Sequence, residues 1–129
     1  MYRKVLLWVM AVCLWPIQSG AVTTEHFKVP TAQDYAELCS VSPDDPLGVA
    51  AIHFCEGYMV GAYQYYQAQI DGSHGKLKHF VCLPNPVPSR DQIVQQFVGW
   101  LHANPQYNSE VPVNALFKFA AETWPCKNK

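Results

Sequence analysis

Five cysteines and five histidines carry most of the reactive side-chain chemistry of this chain. The cysteines are Cys13, Cys39, Cys55, Cys82 and Cys126, and the histidines are His26, His53, His74, His79 and His102. Cysteine can cross-link, ligate a metal or act as a nucleophile beside a histidine base. The spacing after Cys13 disfavours the last two. Steps of 16, 27 and 44 residues contain no CxxC pair, and no two histidines form an HxxxH pair. His53 is two residues from Cys55, and positions i and i+2 of a helix point in different directions. Carboxylates are scattered, and Asp44-Asp45 is explained by turn and helix-cap chemistry. The chain is therefore expected to have no catalytic residues, metal or cofactor, and its cysteines are expected to form disulfides.

Disulfides need an oxidising compartment, and the first residues supply a route to one. Arg3 and Lys4 precede an apolar run from Val5 to Ile17, followed by Gln18-Ser19-Gly20-Ala21. That order is the charged, apolar and small-residue order of a secretory signal peptide. The run is shorter than the roughly 20 residues a membrane span requires. Ser19 and Ala21 fill the two small positions before a cut, so residues 1–21 are read as the signal and Val22 as the first mature residue. Cys13 leaves with the signal. The remaining 108 residues, 22–129, form one domain with four cysteines. A chain of that size buries about 65% of its extended surface, enough for one core. The mature chain has seven Lys/Arg against ten Asp/Glu and no basic cluster, which argues against nucleic acid and anionic membranes as partners.

Helical periodicity and capping signals divide the domain. Pro30-Thr31 with Asp34 opens a short helix through Tyr35, Leu38 and Cys39. Asp45-Pro46 reads as the N-cap and first turn of a long helix to about Ile70, which Asp71-Gly72-Ser73-His74-Gly75 ends. Ser89 and Gln92 form a capping box for a third helix with Ile93, Phe97, Trp100 and Leu101 on one side, stopped at Asn104-Pro105. A fourth helix begins near Glu110 and presents Val113, Leu116, Phe117, Ala120 and Trp124. The fold class is all-α, a small bundle of four helices, or five, stapled by two disulfides.

The long helix is apolar around most of its girth and is expected at the centre of the bundle. Gly57 and Gly61 are expected to admit a neighbouring backbone, with Tyr58 packing beside them. Its tyrosines are assigned mainly to the core, with Tyr63 and Tyr65 as the alternative partner surface. Taking Cys39 at the entry of that helix and Cys55 about 15 Å along its axis excludes a bridge between them, because bonded Cα atoms lie within about 7 Å. The pairing expected on these grounds is Cys55 with Cys82 and Cys39 with Cys126.

Leu38-Cys39, Cys55-x-Gly57-Tyr58-x-x-Gly61, Val81-Cys82-Leu83-Pro84, Gln92 with Val98 and Leu101, Ala115-Leu116 and the terminal Trp124-Pro125-Cys126 together resemble the Rap/Tai family of bacterial immunity proteins. The resemblance runs through nearly the whole mature chain. It implies a periplasmic protein that binds and inhibits a cognate peptidoglycan amidase delivered by type VI secretion, protecting the producer and its kin. The implied partner is that amidase effector, with a homodimer left open and no membrane anchor after signal cleavage. The family is similar in layout to HdeA-type chaperones, so the alternative is a periplasmic acid-stress chaperone or another periplasmic binding protein. The family's toxin contacts do not transfer to identifiable positions. Exposure alone nominates Asp71, His74, Lys76 and Lys78 in one loop, and Gln106, Tyr107, Asn108 and Glu110 in another.

Overall fold

The computed structural model describes residues 21–127. The expected signal therefore lies outside the described residues except for Ala21. Four α-helices are present among them: α1 (Ala32–Cys39), α2 (Gly48–Gly72), α3 (Arg90–Ala103) and α4 (Pro112–Thr123). Short 3-10 turns at Thr24–Lys28 and Pro105–Tyr107 complete the order, and no strand forms among the described residues. The helix starts follow local chemistry. The Thr31 hydroxyl accepts the Asp34 amide at 3.2 Å while Asp34 accepts the Thr31 amide at 3.1 Å. Ser89 and Gln92 make the same reciprocal box at 3.2 and 2.9 Å, and Pro112 takes the first turn of α4, where its missing N–H costs nothing.

The centre of the bundle is α1, not α2. This eight-residue helix packs against all three others and buries Ala32, Tyr35, Ala36, Leu38 and Cys39. Tyr35 and Phe97 are both fully buried, with ring centroids 5.7 Å apart. α3 contributes Val94, Phe97, Val98 and Leu101, whereas Ile93 and Trp100 are only half-buried. α4 contributes Ala115, Leu116 and Phe119, so its buried stripe is rotated from the one that Val113, Phe117 and Trp124 define. α2 buries only Gly48, Ala51, Cys55 and Tyr66 along 25 residues. Gly57 and Gly61 are exposed, and a Cβ built on either meets nothing within 4 Å, so neither admits a neighbouring helix. A second apolar stripe on a helix does not require a second neighbour when the bundle is too small to supply one.

The disulfides are Cys39–Cys55 and Cys82–Cys126, with Cα separations of 5.7 and 4.9 Å. All four expected cysteines are bonded, but the expected pairing is overturned. α2 starts at Gly48 with Leu47 as its N-cap, so Cys55 lies only about 10 Å along the axis. Residues 40–47 form a looping connection rather than a corner, which carries the chain back and leaves the end of α1 beside the second turn of α2. Asp45 and Pro46, expected to open the helix, belong to that connection. At the other end, the Cys82 amide donates to the Trp124 carbonyl at 2.9 Å and the Cys126 amide to the Phe80 carbonyl at 3.4 Å. This antiparallel bridge between Val81 and Pro125 presents Cys82 to Cys126.

Candidate protein-binding face

The C-terminal half of α2 carries no charge from Gly57 to Ile70, and its one buried side chain there, Tyr66, organises the segment that follows. The Tyr66 hydroxyl accepts the amides of Phe80 and Val81 at 2.8 and 3.3 Å. Its ring sits 4.8 Å from Phe80 and 5.3 Å from Phe117, which are themselves 5.9 Å apart. The returning chain is thereby held across the side of the bundle, with the Cys82–Cys126 link fixing it to the end of α4. Between this strap, α2, α4 and the start of α3 lies an open apolar cleft of about 310 Å³. Met59 and Tyr63 form one wall, Leu83 and Val87 the strap side, and Leu116, Phe117 and Trp124 the α4 side. Burial, together with neighbouring Tyr66, raises the Tyr63 hydroxyl above the ordinary tyrosine range, so it remains a neutral hydrogen-bonding group at the wall.

Around this cleft, apolar side chains stand in solvent. Val87 in its lining is 58% exposed, Phe80, packed on the lining Phe117, is 48% exposed, and Leu77 on the strap is 52% exposed, whereas the 68% exposed Tyr65 stands on the opposite side of α2 from Glu56, Tyr63 and Gln67. Positive charge flanks them. Lys76, Lys78 and Arg90 have no ion-pair partner among the described residues, whereas Lys28 pairs with Glu25 and Lys118 with Glu110. Glu56 also lines the cleft, 3.9 Å from His53. Exposed apolar residues grouped about a concavity, with charged side chains at the edge, form a surface suited to a protein partner.

The two nominated loops differ. Asp71, His74, Lys76 and Lys78 are all exposed, and His74 and Gly75 turn the chain with φ of 50° and 82°. The other loop is structural. Tyr107 stacks on Trp100 with centroids 5.3 Å apart, Lys118 lies 4.5 Å above its ring, and Glu110 accepts from Lys118 at 3.3 Å. The carbonyls of Asn108 and Glu110 accept the amides of Gln33 and Ala32 at 3.0 and 2.7 Å, serving the unpaired N-terminus of α1. Only Gln106 and Ser109 are exposed in 106–110. Tyr58 is half-buried against Tyr35 at 5.0 Å; burial raises its hydroxyl, partly offset by the nearby Val113 backbone. The strap residues Leu77, Phe80 and Val87, and Arg90 at the start of α3, were not nominated from sequence. Their signal was a run of apolar and basic side chains between two turn-rich stretches, where a simple connector would be polar.

The sequence model of the Rap1a immunity proteins matches residues 31–126. The chain belongs to this family. The match runs from the N-cap of α1 to the last cysteine, so it covers all four helices and both disulfides of the Rap1a fold. No curated protein and no solved structure matches the chain significantly. For a Rap1a immunity protein, a surface built to bind another protein is the expected working part, and the cleft with its apolar and cationic border is the best-formed candidate here. Among the described residues no group of three or more His, Cys, Asp or Glu side chains could hold a metal ion.

Proposed function

We propose that this chain is a periplasmic immunity protein that binds a cognate peptidoglycan amidase effector and blocks it, protecting the producing cell and its kin from type VI attack. The family match over residues 31–126 carries this reading. The two disulfides support an oxidising compartment, and no described helix is long and apolar enough to cross a membrane. The contact face proposed is the cleft, with Leu77, Phe80 and Val87 as apolar contacts and Lys76, Lys78 and Arg90 as the cationic border. Hot spots in such faces combine a desolvated apolar centre with a polar surround.

The test is protection. Cells carrying a neighbouring amidase gene, with its product directed to the periplasm, should survive when this protein is exported and lyse when it is not. Purified, oxidised protein should bind the amidase at one-to-one stoichiometry, and Val87→Asp or Phe80→Asp should weaken binding at least tenfold with the helical spectrum unchanged. Failure of folded protein to bind the amidase would overturn the effector assignment. Suppression of client aggregation near pH 2–3 by the same protein would place it with the acid-stress chaperones instead.

A further inference from the structure

The amide nitrogen of Val22 donates to Oδ2 of Asp45 at 3.1 Å, linking residues 23 positions apart. The carboxylate is central to the connection before α2. Its Oδ1 accepts the Leu47 amide at 2.9 Å, its carbonyl accepts the Gly48 amide at 2.8 Å, and its own amide donates to the Ser42 carbonyl at 3.0 Å. Asp45 is half-buried, and no Lys, Arg or His among the described residues pairs with it. Val22 is itself half-buried and packed against the core. Among the described residues, the single donor that reaches Oδ2 from outside the turn is therefore the nitrogen that the residue pattern Ser19-Gly20-Ala21 marks as the first of the mature chain.

We infer that Asp45 is the built-in receptor for the new N-terminus made by cleavage between Ala21 and Val22. Hydrolysis by a leader peptidase adds water across that peptide bond, leaving a carboxylate on Ala21 and an α-amine on Val22. The amine takes up a proton below its ordinary pKa of about 7.7–8.0. An amide N–H···O⁻ contact, already assisted by the carboxylate charge, becomes an ammonium–carboxylate pair that adds the attraction of two opposite charges. The half-buried Asp45 charge gains the counter-ion it lacks, and the 42–48 turn that launches α2 is fastened by the processed end. Maturation thus adds a structural interaction at the start of the long helix. This holds whichever partner the protein binds.

Two chains test it, both oxidised and both recovered from a cleaved fusion: one beginning at Val22 and one beginning at Ala21, whose single extra residue moves the ammonium by about 3.5 Å. N-terminal sequencing of exported protein should return Val22. The Val22 chain should melt about 4–8 °C higher than the Ala21 chain, the shift that one strengthened contact produces in a domain of this size. Asp45→Asn keeps a carbonyl acceptor and removes the charge, so in that background the gap between the two chains should close. Equal melting of the two chains, a gap that survives Asp45→Asn, or a mature chain beginning elsewhere would each overturn the assignment.

Discussion

The hydroxyl of Tyr35 donates to the carbonyl oxygen of Cys55 across 2.7 Å, beside the bond that joins Cys55 to Cys39. α1 is thus tied to α2 twice within one helical turn, by a covalent bond and by a buried hydrogen bond. Burial, with Tyr58 close by, holds the Tyr35 hydroxyl far above the ordinary tyrosine pKa near 10. With a raised folded pKa, the unfolded chain loses its proton first. Stability is then undiminished below about pH 10 and falls as pH rises above it. Urea midpoints measured from pH 8 to 11 should show this decline. Tyr35→Phe should cost about 1 kcal/mol at pH 8 and make the alkaline decline shallower.

Non-reducing digestion should give peptides linking Cys39 to Cys55 and Cys82 to Cys126. Cys39 and Cys55 are 4% and 1% exposed, whereas Cys82 lies at the surface. Limited reduction followed by alkylation should label Cys82 and Cys126 first, with the inner pair intact. Chain-entropy estimates for the 16- and 44-residue separations are about 3 and 4 kcal/mol.

The glycines of α2 should divide by position. Gly57→Ala and Gly61→Ala add a methyl group in open space to a helix interior, and each should raise stability by about 0.5–1 kcal/mol. A Cβ at Gly48 runs into the Ser42 carbonyl oxygen, so Gly48→Ala should cost about 1–3 kcal/mol. Thermal melts of the three variants decide this.

Tyr66→Phe should leave the buried Val81 amide without its acceptor, a loss of about 1–3 kcal/mol. Hydrogen exchange should speed up at Phe80 and Val81 specifically, with the amides of α1 unchanged. Uniform acceleration across the chain would mean that Tyr66 does not hold the strap locally.

Much of the fold could be read from short-range chemistry. Thr31 with Asp34, Ser89 with Gln92, and Asn104 with Pro105 mark helix ends through bonds made within a few residues, and each lies where its own chemistry puts it. The start of α2 was misread because Asp45 is a good cap residue in isolation, while its carboxylate is occupied by Val22 and Leu47. That shift of two residues, with the fold-back of residues 40–47, propagated into the disulfide map. A pairing rule based on distance along a helix fails when the connection before it folds back. The binding face was less legible still. Its lining combines Arg90 from a helix start, Val87 from the strap and Tyr63 from α2, and nothing local in the sequence brings these together.

The order of the disulfides has one more consequence. The cysteines of the domain pair in consecutive order along the chain, first with second and third with fourth. A polypeptide threaded N-terminus first into an oxidising space presents these partners in the order in which they bond. Oxidation in order of emergence therefore yields the native links directly. Their formation requires no reshuffling by an isomerase, whereas crossed or nested pairings would leave early thiols waiting beside the wrong partner.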